Sequence, residues 1–136
     1  MISIGFICVH NSCRSQMAEG WAKYASQGRF AIYSAGSEQY HEVKPLAVQV
    51  MQECGIDMSC HYPKLLTDIP ATLDIVITMG CNVECPHIGA RYRTDWGLTD
   101  PSGGPIEDFR VTRDLIKEKV ESLFKAIDEG LLFKDA

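Results

Sequence analysis

The chain has 136 residues, 46% of them hydrophobic and 23% charged, and a formal net charge of −5. That size and balance fit one soluble domain, residues 1–136, around a single core, with no repeat or low-complexity tract. The negative balance, with no basic run to offset it, argues against nucleic-acid binding, so an anionic ligand needs a local positive site.

Residues 2–8 read as a short, continuous apolar strand, as expected when both faces are covered. A helix follows over 14–27, with Met17, Ala18, Trp21, Ala22, Tyr24 and Ala25 as its apolar stripe and Trp21 packing it on the sheet. FAIYSAG (30–36) is a second strand ending in a glycine turn. Pro45 opens a helix that runs to about Cys54 and is stopped by Gly55, with Cys54 on its apolar face. LDIVITM (73–79) is a third strand, RYRTDW (91–96) a fourth, and Ile106 to about Glu129 a long amphipathic helix. Strands alternating with helices predict a doubly wound α/β domain: a parallel sheet, right-handed crossovers and helices on both faces. Function then belongs at the C-terminal strand ends, where Cys8 closes the first strand and Cys81 follows the third. The chain shows no N-terminal signal and no apolar stretch long enough to span a membrane, which predicts a cytoplasmic protein without membrane contact. Six cysteines in that compartment read as reactive thiols rather than a disulfide scaffold.

The segment CVHNSCRSQMAEG (8–20) carries the chemistry. A strand, a tight loop and a helix N-terminus form an oxyanion cradle, because loop N–H groups and the helix dipole present positive charge together. Val9, His10, Asn11, Ser12, Cys13 and Arg14 would bind the oxyanion. Arg14 can hold two of its oxygens and never loses its charge. Cys8 would sit at the base as a thiolate nucleophile, with Ser15 donating a hydrogen bond to it. Asn11 tolerates the left-handed backbone such a loop needs. A cysteine ending a buried strand is often only a small hydrophobe, but the strand before and the helix after favour the nucleophile.

TMGCNVECPH (78–87) holds Cys81 and Cys85, four residues apart, which read as half a zinc site, a redox pair or an accident. Zinc is disfavoured because His87 supplies at most a third ligand. Asp100 in DPSGG is a candidate proton donor on a mobile loop, although an Asp-Pro turn needs no function to explain it. Cys13 lies close enough to Cys8 to bridge under oxidation, yet behind the loop and without a catalytic role. His10 orients backbone; His41, His61 and His87 read as surface residues; Cys60 has no interpretation.

The phosphate-loop segment resembles that of the low-molecular-weight protein tyrosine phosphatase superfamily. NSCRSQMAEGW, YSAGS (33–37), TMGC (78–81) and WGLTDPSG (96–103) are similar to its thioredoxin-coupled arsenate reductase branch across nearly the whole chain. The resemblance implies a four-stranded parallel sheet and arsenate as substrate. It implies Cys8, Arg14, Ser15, Cys81, Cys85 and Asp100 as catalytic residues, and thioredoxin as reductant, with glutaredoxin or glutathione as the alternative. It also implies a relay, Cys8 to Cys81 and then Cys81 to Cys85, whose last pair is spaced more tightly than in the best-known members. No organic cofactor and no metal are expected, and the protein should be monomeric. Asn11, Glu19 and Ser34 match positions that some members use for potassium, but Lys64 stands about where their aspartate lies, so potassium should not be required. The alternative function is a phosphotyrosine phosphatase; against it, Ser102, Gly103 and Gly104 follow Asp100-Pro101 where aromatic walls would be expected. A non-catalytic oxyanion binder is the third reading.

Overall fold

A computed structural model describes residues 1–80 and 88–132 of the chain. In chain order the elements are β1 (Ser3–Cys8), α1 (Arg14–Ser26), β2 (Ala31–Gly36), α2 (Pro45–Gln52), a one-turn 3-10 helix (Leu66–Asp68), β3 (Thr72–Thr78), β4 (Gly89–Asp95) and α3 (Ile106–Asp128). The four strands form one parallel sheet in the order β2-β1-β3-β4. No described helix is long and apolar enough to cross a membrane.

Alternation along the strands divides the apolar residues between two faces. Ile4, Phe6 and Cys8 of β1 and Ile75 and Ile77 of β3 belong to the main core, which they share with Met17, Trp21, Val50, Met51, Phe109, Ile116 and Val120 of the three α-helices. Ile7 and Val76 point to the second face, where they pack with Ala35, Ile69, Leu73 and Ile88. Leu66 of the 3-10 helix caps that smaller cluster, so the two faces carry helical cover of very unequal weight. Each large side chain buried this way contributes about 1.5–3 kcal/mol, enough to hold the β1 terminus and the loop after it in a fixed place.

The expected elements occur with small shifts. α1 ends at Ser26, where Gln27 turns left-handed (φ 48°) and its N–H closes onto Lys23 O. Tyr24 (61% exposed) and Ala25 are not part of its buried stripe. The buried surface of α1 instead extends to Ser15, Gln16, Glu19 and Ser26, because one flank of the helix serves a polar network rather than the core. β4 begins two residues earlier than predicted and excludes Trp96, which packs on Phe6 with ring centroids 5.6 Å apart. The 3-10 helix over Leu66–Asp68 has no counterpart in the sequence reading; the Asp68 carboxylate accepts the Leu65 N–H and closes that turn.

Candidate active site

Beyond β1 the chain folds into a loop whose carbonyls are turned outward and tied down. Cys8 O accepts from Ser37 N (3.2 Å), Val9 O from Glu38 N (2.8 Å) and Ser12 O from Lys44 N (2.7 Å). Gly36 makes this approach possible: a Cβ there would lie 2.5 Å from Val9 O and 2.9 Å from Asn11 N. With its carbonyls committed outward, the loop keeps its N–H side for the interior. Asn11 takes the left-handed conformation (φ 53°), and its N–H points at Cys8 Sγ, 3.1 Å away. No side chain caps the N-terminus of α1, so its leading amides remain available to an anion.

A chain of hydrogen bonds of fixed polarity leads to the sulfur. Lys64 N–H, which can only donate, contacts Asn11 Oδ1 at 2.9 Å. This orients the Asn11 amide, so Nδ2 donates to Ser15 Oγ (2.8 Å) and the Ser15 proton is free for Cys8 Sγ at 2.9 Å. Gln16 Nε2 also donates to Asn11 Oδ1 (2.9 Å), while its Oε1 accepts from His61 Nδ1 (2.9 Å). Negative charge on Cys8 thus faces a backbone N–H, a hydroxyl and a helix terminus, all oriented before any ligand arrives.

The cavity of about 290 Å³ at this site is lined by Cys8, Val9, His10, Ser12, Cys13, Arg14 and Asp100. The Arg14 guanidinium is held by one nitrogen: Nη1 donates to Met79 O (2.8 Å) and Leu98 O (2.7 Å). Among the described residues Nε and Nη2 have no hydrogen-bond acceptor; Nη2 lies 3.7 Å from Asp100 Oδ2. That remaining edge has the geometry for two oxygens of a tetrahedral ion. Asp95, which sequence reasoning missed, organises the two carbonyls. Its carboxylate accepts from Thr78 Oγ1 (2.5 Å), Gly80 N (2.8 Å) and Gly97 N (2.9 Å), joining the end of β3 to the segment that carries Leu98. The Thr78 hydroxyl bond chiefly holds Asp95 below the usual carboxylate range, with the two amides and Arg14 helping against burial.

Glu19 is the buried charge beside the cradle. Burial pushes its carboxyl up, but the Ser34 hydroxyl (2.5 Å), Lys64 (3.5 Å) and Lys23 (2.9 Å) outweigh burial and hold it below 4.5, its ordinary value. Asn11, Glu19 and Ser34 therefore do gather, and the Lys64 ammonium stands among them. Two ammonium groups and a hydroxyl thus already face Glu19.

Several expectations need correction. His61 is not a surface residue: its side chain is 12% exposed, bonded to Gln16 and 3.5 Å from Glu19, and burial pushes its imidazole below the ordinary histidine value. His10 does not orient loop backbone; its ring leans on Tyr40 (centroids 4.9 Å) and its Nε2 lies 3.1 Å from Glu38. Cys13 lies not behind the loop but in the cavity wall. Burial, reinforced by Asp100 and Cys8, pushes its thiol up to about 12, which keeps it protonated beside the nucleophile. His41 is exposed as expected, Cys54 is half-buried against the main core, and Cys60 is exposed. Cys81, Cys85 and His87 lie outside the described residues.

Two predictions follow from this geometry. Asp95→Asn removes the carboxylate that positions both acceptors of Arg14, so kcat/KM should drop by about 10²-fold, the scale of a 1 Å misplacement, and the unfolding midpoint should fall with the loss of a carboxylate held by three hydrogen bonds. Because the folded value of Glu19 lies below 4.5, its stabilisation is complete above that pH and is lost as pH falls through the folded value. Urea midpoints measured between about pH 5 and 3 should therefore drop more steeply in the wild type than in Glu19→Gln.

Comparison with known proteins agrees with this architecture. The family profile "Low molecular weight phosphotyrosine protein phosphatase" matches residues 3–131. An arsenate reductase of Staphylococcus aureus (strain Newman) is 42% identical over 124 residues, covering 88% of this chain and 94% of its own. A solved structure described as an arsenate reductase in the phosphate binding state superposes with a TM-score of 0.86 at 40% identity, over 93% of this chain and 99% of that one. A thioredoxin-dependent arsenate reductase of Corynebacterium glutamicum superposes with a TM-score of 0.80 at 33% identity, over 96% of this chain and 63% of that one. The chain belongs to the low-molecular-weight phosphotyrosine protein phosphatase family and, within it, to the arsenate reductases.

Proposed function

We propose that the protein reduces arsenate to arsenite, with Cys8 as nucleophile and a disulfide relay that an external dithiol resets. The observation that carries this reading is Cys8, a residue 5% exposed at a cavity that also presents the open edge of Arg14, its sulfur met by the N–H of Asn11 and the hydroxyl of Ser15. The relative solved in a phosphate binding state supports a tetrahedral oxyanion as the occupant.

The Cys8 thiolate attacks arsenic and forms an S–As bond. One arsenate oxygen leaves as water, and Asp100, whose carboxylate reaches within 3.7 Å of Arg14 Nη2, supplies the proton. The thiolate of Cys81 then attacks Cys8 Sγ. An S–S bond forms, the S–As electron pair passes to arsenic, and As(V) departs as As(III) in arsenite. Cys85 attacks Cys81, releasing the Cys8 thiolate and leaving a Cys81–Cys85 disulfide. Exchange with thioredoxin, which the Corynebacterium relative's description names, restores both thiols. Hydrolysis of a phosphate ester needs only Cys8, Arg14 and Asp100, so a weak phosphatase activity accompanies the reductase.

NADPH oxidation with thioredoxin and thioredoxin reductase should depend on arsenate in the wild type and vanish in Cys8→Ser and Cys81→Ser. Aryl phosphate hydrolysis should vanish in Cys8→Ser and survive in Cys81→Ser; reduction that persists in Cys81→Ser would remove that residue from the relay. Replacing NaCl by KCl at constant ionic strength should leave the arsenate-dependent rate unchanged, because Lys64 supplies the charge at Glu19. A several-fold rise with KCl would contradict that assignment.

A further inference from the structure

Among the described residues Arg14 is the one permanently charged cation lining the cavity, and its Nη2 lies 3.7 Å from the Asp100 carboxylate. A doubly charged oxyanion must therefore be captured by that single guanidinium on a protein of net charge −5. A second cation, Lys44, does not line the cavity but is tied to a residue of its wall. Lys44 is fixed to the rim by its own backbone, whose N–H donates to Ser12 O at 2.7 Å. Its ammonium donates to Tyr40 Oη at 2.6 Å and lies 4.6 Å from the centroid of the Tyr40 ring. Tyr40 in turn lies against His10, a wall residue of the cavity, with the rings tilted by 37° and their centroids 4.9 Å apart. The ammonium is thus braced over an aromatic platform beside the opening rather than free to swing into solvent, which lowers the entropy lost when it meets a ligand. The Tyr40 hydroxyl holds Lys44 above the ordinary lysine value against a weaker effect of burial, and Asp100 acts in the same direction.

We propose that Lys44 is a specificity-determining residue, a second cation tied to the cavity wall that joins Arg14 in selecting and capturing doubly charged tetrahedral oxyanions. This rests on the proposed function only as far as oxyanion binding. Tyr40 and His10 act through Lys44 as its support.

The test is calorimetric titration of inorganic phosphate, at a pH where the dianion dominates, into the reduced wild type, Lys44→Gln and Lys44→Arg at low and high salt. The glutamine variant should bind about fivefold to tenfold more weakly at low salt, and the gap should close to about twofold at high salt as screening takes over. The arginine variant should bind within about twofold of wild type at both salts. In arsenate turnover the glutamine variant should raise KM by a similar factor with kcat unchanged. Wild-type affinity in Lys44→Gln, an equal loss at both salts, or no rescue by arginine would each overturn the proposal. Failure of the wild type to bind phosphate would overturn the cradle and the proposal together. Phosphate binding that follows the expected pattern without arsenate reduction would overturn the proposed function alone and leave the role of Lys44 supported.

Discussion

The single contact on which the site turns is the bond from Lys64 N–H to Asn11 Oδ1. A backbone amide cannot exchange donor for acceptor, so it sets the direction of every hydrogen bond beyond it. The Asn11 amide can present only Nδ2 to Ser15, and the Ser15 proton then turns to Cys8. The same asparagine holds the left-handed backbone that brings its own N–H to the sulfur. The donors that meet Cys8 Sγ are oriented by groups outside the loop, so the chemistry of Cys8 depends on the placement of a residue 53 positions from Asn11 in sequence.

A second constraint comes from the opposite edge of the cavity. Arg14 carries the positive charge of the site, but half of its guanidinium serves as a strut to Met79 O and Leu98 O. Those carbonyls come from the segments that follow β3 and β4, and Asp95 clamps the segments together. Gly80 belongs to the same closure: with φ of 88°, a Cβ there would meet Leu98 N at 2.7 Å. The oxyanion edge of the arginine is therefore aimed by the ends of the two strands rather than by the loop that carries it.

The cradle and the succession of strands and helices were legible in the sequence because both are local. An apolar run, a loop of fixed length and a helix start occupy residues 2–26, and Cys8, Arg14 and Ser15 in that window announce themselves by type. Asp95, Gln16 and His61 were not legible. Asp95 read as part of a strand and Gln16 as an ordinary helix residue, since what gives them purpose is a partner brought near only by folding. His61 read as a surface histidine for the same reason: its partners, Gln16 and Glu19 of α1, are distant in sequence. Tyr24 failed in the other direction, since an aromatic at helical spacing suggested core where α1 presents it to solvent.

The outward-tied carbonyls of the loop also have a thermodynamic meaning. Residues 8–12 are stitched to 37, 38, 44 and 64, which lie in the connections that follow β2 and α2. No partial structure contains the complete cradle, so the oxyanion recognises only the fully assembled protein. Linkage then runs in both directions: a tetrahedral anion at a hundred times its dissociation constant adds about 2.7 kcal/mol to the unfolding free energy of the whole domain. In a cell challenged with such an anion, the molecules most resistant to unfolding and proteolysis are those already holding it.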